Sequence, residues 1–106
     1  MRLWHRLRRW FDLRSLRSVL DYEVRRGDGF SILLFAVVSC FRKRPAWNRY
    51  YDDDGLWRIA SGEVEAAVKR AVGDGRLNDE GYTRACREIA MAMKRRKYGI
   101  NAAKNL

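Results

Sequence analysis

The sequence predicts an all-α protein, a compact bundle of four or five helices around the apolar segment 30–41. Three observations support this fold class. Apolar residues recur at spacings of three and four through most of the chain, which is the period of a buried helix face. Glycines and candidate helix caps separate these runs, and the chain holds a single proline. A length of 106 residues allows one domain with a modest core.

Residues 1–27 form the first predicted element, a basic amphipathic helical region. Its apolar positions fall on one helical face, and arginines occupy much of the remainder. The pattern predicts one bent helix or two abutting helices that end near Gly27. The apolar positions are Leu3, Leu7, Trp10 and Phe11, followed by Leu13, Leu16, Val19, Leu20 and Val24.

Residues 28–44 form the predicted core helix. The segment is apolar almost all round, and Ser31 is a candidate N-cap. A buried strand is the competing interpretation, because a short apolar run does not distinguish the two by periodicity. Pro45 is expected to end the helix, since the residue before a proline avoids the helical region. Residues 45–55 are then predicted to be a linker loop.

Residues 56–99 are predicted to form a helical hairpin, and residues 100–106 a tail. An aspartate of the 52–54 triplet is expected to cap the first helix, and Ser61-Gly62 to kink or restart it. Asn78 is the expected N-cap of the second helix, which is predicted to end at Gly99. Its predicted apolar face comprises Tyr82, Ala85, Cys86, Ile89 and Met93, so Cys86, like Cys40, is expected to be buried.

The positive charge is concentrated in the first half of the chain. The net charge is +10, and residues 1–49 hold 12 Lys or Arg against four Asp or Glu. Clustered like charges repel one another, so they call for an anionic partner or a solvated face. Arginine dominates the basic residues, and its planar fork suits bidentate contact with phosphate.

Sequence motifs argue against an enzyme. The single histidine, His5, has no orienting partner nearby in sequence, and no phosphate loop, nucleophile elbow or zinc-protease motif is present. The triplet Asp52-Asp53-Asp54 is better explained by helix capping than by a metal site. No catalytic residue, cofactor or metal is therefore expected. The two isolated cysteines are typical of reduced thiols in a cytoplasmic protein.

The sequence therefore favours a non-enzymatic protein that engages nucleic acid or a ribonucleoprotein through an arginine-rich surface. A second group of cations, at residues 42–44 and 49, is interleaved with Trp47, Tyr50 and Tyr51. These aromatic residues either grip a partner or anchor the linker to the core. The expected contacts are Arg6, Arg8, Arg9, Arg14, Arg17, Arg42, Lys43, Arg44, Trp47 and Arg49.

Two other functions remain open at the sequence level. One is a small inhibitor or adaptor, of the kind phages and mobile elements encode, which docks on an acidic or nucleic-acid-binding surface of a protein partner. The other is a peripheral membrane protein, because a helix with Trp, Phe and Leu on one face and Arg on the other suits an anionic lipid surface. The oligomeric state is not specified by any pattern in the chain.

Overall fold

The structure, a computed structural model, describes residues 13–25 and 27–104, with side chains described for most of residues 16–96. These ranges contain five helices and no strand. The helices are α1 (Leu13–Val24), α2 (Phe30–Arg42), α3 (Pro45–Tyr50), α4 (Asp53–Gly73) and α5 (Asp79–Lys104). The all-α prediction is confirmed, and the strand interpretation of residues 30–41 is wrong.

Helix α2 lies at the centre of the bundle, as the sequence predicts. It packs against each of the other four helices. Its buried positions include Phe30, Leu34 and Phe41, which are fully enclosed. Burial is not complete, however, because Ile32 and Phe35 on the same helix are 59% and 56% exposed. The bundle therefore covers most of the circumference of α2 and leaves one apolar strip uncovered.

The segment predicted to be a linker loop contains the short helix α3. Pro45 occupies its first turn, where a missing N–H costs nothing and the fixed φ suits a helix. Arg44 before it is extended, at φ −94° and ψ 116°, as the residue preceding a proline prefers. The same proline that stops α2 thus starts α3.

Helix α4 begins where the aspartate triplet predicts and then runs without a break. The Asp52 carboxylate accepts a hydrogen bond from the Gly55 amide at 2.8 Å, which confirms the cap. The alternative that the helix restarts at Ser61-Gly62 is wrong, because the helix is continuous to Gly73. Ser61 donates its hydroxyl proton to the Arg58 carbonyl at 2.9 Å, so its polar group is satisfied within the helix.

Helix α5 starts as predicted but buries a different stripe. The Asn78 side chain accepts a hydrogen bond from the Gly81 amide at 2.8 Å, which confirms the cap. Gly81, Ala85 and Ile89 are buried, whereas Tyr82 and Cys86 are exposed, so the expected burial of Cys86 is wrong. Ala85 and Ile89 belong to the core of the bundle, whereas Gly81 lies against Leu77 just before the helix.

Two further predictions differ from the structure at helix ends, and a third is close to it. Ser31 does not cap α2, which begins at Phe30 after Gly29 in a left-handed conformation at φ 70°. Helix α5 continues past Gly99 to Lys104, into the predicted tail. Helix α1 ends at Val24, and Gly27 (φ 77°) donates its amide to the Val24 carbonyl at 3.0 Å, close to the predicted end.

Candidate nucleic-acid interface

The candidate contact residues of the N-terminal region fall into two groups. Arg6, Arg8 and Arg9 lie outside the described residues, as does the Trp4 and Trp10 face on which the membrane alternative depends. Arg14 and Arg17 lie on α1. The side chain of Arg14 is outside the description, whereas that of Arg17 lies on the surface.

Arg17 is held by an acidic partner on another helix. Its Nε donates to Oε2 of Glu63 on α4 at 3.1 Å, and its Nη2 donates to Oε1 at 3.2 Å. The hydrogen bonds and charge of Glu63 raise the pKa of the Arg17 guanidinium above its ordinary value. This arginine therefore joins α1 to α4, and it lies on a different element from the candidates at residues 42–49.

The remaining candidates are brought together where α2 turns into α3. We call residues 42–51 the α2–α3 corner. Lys43 and Arg49 are exposed there, and Arg44 is half-buried. Arg42 at the end of α2 makes an ion pair with Asp53, with 2.7 Å between Nη2 and Oδ1. The corner thus combines cations from two helices and is tied to the start of α4 by one of them.

The aromatic residues of the corner divide into an anchor and two exposed rings. Trp47 stacks on Phe41 of the core, with ring centroids 4.6 Å apart and planes 13° apart. Tyr51 stacks on Trp47 at 5.6 Å. Tyr50 is 76% exposed and Tyr51 44%. Of the two interpretations of Trp47, this geometry favours the anchor, because one of its faces is covered by a core residue.

The tyrosines are the aromatic groups that sequence reasoning left out of the candidate site. Tyr50 and Tyr51 follow Arg49 directly, and their position among the cations is the signal that the sequence offers for them. Trp47, the aromatic residue named among the expected contacts, is the larger ring and stacks on Phe41.

The acidic triplet beside the corner is neutralised within the bundle. Asp53 and Asp54 face Arg96 of α5, whose Nη1 donates to Oδ1 of Asp54 at 2.6 Å. Arg58 donates to Oδ2 of the same carboxylate at 2.7 Å. The hydrogen bonds from Arg96 and Arg58 lower the pKa of Asp54 below its ordinary value. Within the described part of the chain, no group of three His, Cys, Asp or Glu is placed to hold a metal ion.

Comparison with protein-family models, curated proteins and solved structures finds no match to this chain. In the part that the structure describes, no helix has both the length and the apolar character that crossing a bilayer requires. The inference of function therefore depends on the chemistry of the molecule's own surface.

Proposed function

We propose that this protein is a non-enzymatic module that binds single-stranded nucleic acid at the α2–α3 corner. The observation that supports this most directly is the ring of Tyr50, which is 76% exposed immediately after Arg49 and close to the basic run at residues 42–44. An exposed aromatic face offers a base a stacking surface, and neighbouring cations attract the phosphates on either side.

The shape of the corner favours a single strand over a duplex. Helix α3 has only six residues, which is about 9 Å of helix, too short to read along a major groove. Tyrosine rings stack on bases only where the bases are unpaired, since pairing and stacking bury the base faces in a duplex. The corner therefore suits an unpaired segment of DNA or RNA.

The corner is also rigidly mounted, which supports its use as a binding surface. The stack of Trp47 on Phe41 fixes α3 against the core, and the pair between Arg42 and Asp53 fixes the end of α2 against α4. A surface that is ordered before binding loses less conformational entropy when the partner arrives.

An electrophoretic shift with a fluorescent oligothymidylate, run from low to physiological salt, tests this proposal. We expect Tyr50→Ala to weaken binding about five- to hundredfold, because stacking of one base on an aromatic ring contributes about 1–3 kcal/mol. We expect Arg49→Gln to lower the slope of log affinity against log salt by about 0.7, which is the loss of one phosphate contact with a single strand.

Matched control variants lie on other helices. Tyr22 on α1 is 49% exposed, so Tyr22→Ala removes an exposed ring away from the corner. Arg87→Gln removes the charge of an exposed arginine on α5. Both should leave the affinity contributed by the corner unchanged. Binding that is equally reduced by the controls, or absent at low salt, would contradict the proposal.

A further inference from the structure

A groove between α2, α4 and α5 lies apart from the corner. Its volume is about 500 Å³, and its apolar lining includes Phe35, Trp57, Met91 and Ala92. Phe35 meets the Trp57 ring edge-on, with centroids 6.2 Å apart. The groove lies beside the N-terminal half of α2, whereas the corner begins at the C-terminal end of that helix.

The groove lining includes large apolar side chains that are unusually exposed to solvent. Phe35 and Met91 are 56% and 47% exposed, and Ile32, one turn before Phe35 on α2, is 59% exposed. Single exposed apolar side chains are common on protein surfaces, but several that adjoin a groove mark an interaction site. Phenylalanine, tryptophan and methionine are also residue types enriched at the centres of protein interfaces.

Three of the groove's polar side chains carry a buried atom without a hydrogen-bond partner. These atoms are Nε1 of Trp57, Oε2 of Glu88 and Nε of Arg96. Trp57 is only 6% exposed, and the Arg96 side chain 10%. Nε of Arg96 lies 3.7 Å from the nearest Asp53 oxygen, beyond hydrogen-bond distance. Buried polar atoms are normally satisfied, and these three have no hydrogen-bond partner within the described part of the chain.

The charge on the rim distinguishes between occupants. Arg95 lines the groove and is exposed, and the neighbouring Lys94 is exposed as well, so these cations outnumber Glu88, the one carboxylate of the lining. The lining Arg96 is paired with Asp54. The chain's own N-terminal segment is arginine-rich, and a second copy has a net charge of +10, so each would bring like charge to this rim. A nucleic acid would match the charge, but the lining of the groove is mainly apolar. The complementary partner is both apolar and acidic.

We propose that this groove binds an amphipathic helix of a partner protein, with its apolar side chains against Phe35 and Met91 and its carboxylates against Arg95. Helices commonly dock in grooves through apolar residues spaced three, four and seven apart. Phe35 on α2 and Met91 on α5 lie on two sides of the groove, so one apolar stripe of the partner contacts both. The proposal is independent of nucleic-acid binding at the corner.

The test uses the full chain and a labelled synthetic peptide of about 16 residues, with leucines on one helical face and glutamates beside them. Binding is followed by fluorescence anisotropy. We expect Phe35→Ser and Met91→Gln each to weaken binding about tenfold, as removal of an interface anchor does. We expect Arg95→Glu to weaken binding of the glutamate peptide. The same variant should strengthen binding of a matched peptide that has lysines in place of the glutamates.

The controls are Tyr82→Ser and Arg87→Glu, two changes at exposed positions of α5 outside the groove lining. Both should bind the glutamate peptide like the unchanged protein. Phe35 and Met91 are about half exposed, so their variants should stay folded at the assay temperature with a melting temperature at most a few degrees lower, and circular dichroism checks this.

Several outcomes would overturn the proposal. One is the absence of peptide binding, and another is equal binding of a peptide with the same composition in scrambled order. Light scattering that shows a dimer lost in Phe35→Ser would assign the groove to a second copy. Loss of oligothymidylate binding in Phe35→Ser, with no effect of Tyr50→Ala, would assign the groove to nucleic acid and would also contradict the function proposed for the corner.

Discussion

The side chain of Arg96 has a structural role, although the sequence predicts that it belongs to a surface cluster of cations. Residues 94–97 form a run of four cations, which sequence reasoning explains as solvated charge at a helix end. In the structure the Arg96 side chain is 10% exposed, and its guanidinium carbon lies 5.7 Å from the centre of the Trp57 ring. Together with its bond to Asp54, this contact holds α5 against the first turn of α4.

The lowered pKa of Asp54 predicts a specific loss of stability in acid. A carboxylate whose pKa is lower in the folded state than its ordinary 3.8 stabilises the fold fully above that value and progressively less as the pH falls through the folded-state pKa. We therefore expect Asp54→Asn to lower the urea midpoint at pH 7. The difference from the unchanged protein should shrink below about pH 4.

Asp74→Asn is the matched control for this measurement. Asp74 pairs with Arg76 at 2.7 Å, but its side chain is 63% exposed and its partner is only two residues away. Such a surface pair contributes little to stability. An Asp54→Asn difference that stays constant from pH 7 to pH 3 would show that the hydrogen bonds from Arg58 and Arg96 do not stabilise the fold through the charge of Asp54.

The two cysteines should react at very different rates with a thiol reagent. Cys40 is buried, and burial raises the pKa of its thiol to about 11, so almost none of the reactive thiolate is present at pH 8. Cys86 is exposed on α5. We expect Ellman's reagent to modify one thiol rapidly in the native protein and the second only on unfolding.

The variant Cys86→Ser identifies the fast thiol. It should remove the rapid phase completely and leave the slow one unchanged. Rapid modification of both thiols in the native protein would mean that α2 opens readily at its C-terminal end, in contradiction to the buried position of Cys40 at 2% exposure.

Helix α4 carries a glycine where its structure does not need one. Gly62 lies in the interior of the helix, is exposed, and has space for a Cβ, with no heavy atom within 4 Å. Glycine costs a helix interior about 0.5–1 kcal/mol relative to alanine, mainly through backbone entropy. We expect Gly62→Ala to raise the free energy of unfolding by this amount and to raise Tm by several degrees.

Helix α5 provides the opposite case and the control. A Cβ on Gly81 would clash with Cδ1 of Leu77 and lie 2.8 Å from its Cγ, and Leu77 is itself buried. Gly81→Ala should therefore destabilise the protein, by about 1–3 kcal/mol, despite the gain in helix propensity. Equal and positive shifts in both variants, measured by urea denaturation, would mean that Leu77 moves aside without cost.

Across the molecule, ion pairs join the basic first half of the chain to the second half. Arg17 on α1 pairs with Glu63 on α4, and Asp21 on α1 pairs with Arg70 on α4 at 2.9 Å. Arg42 at the end of α2 pairs with Asp53 at the start of α4. Some of the arginines that give the first half of the chain its positive charge therefore pair with acidic side chains of the bundle. The proposed contacts with nucleic acid and with an acidic helix depend on cations at two separate places, the corner and the groove rim.

The sequence was sufficient for the features that depend on local chemistry. The cap within the aspartate triplet, the cap at Asn78, the helical period and the apolar content of residues 30–41 all act over a few residues. Their consequences are therefore visible in the chain itself. The same applies to the cations of the corner, which lie together because they are close in sequence.

Packing between distant helices decided the rest. Residues 30–41 are apolar on every side, so periodicity could not show that Ile32 and Phe35 stay exposed. That result depends on how much of α2 a bundle of this size can enclose. The stripe that α5 buries, which includes Ala85 and Ile89, was set by packing against the rest of the core, and the anchoring of Trp47 by the position of Phe41. These outcomes arise from contacts between elements, which no short window of sequence contains.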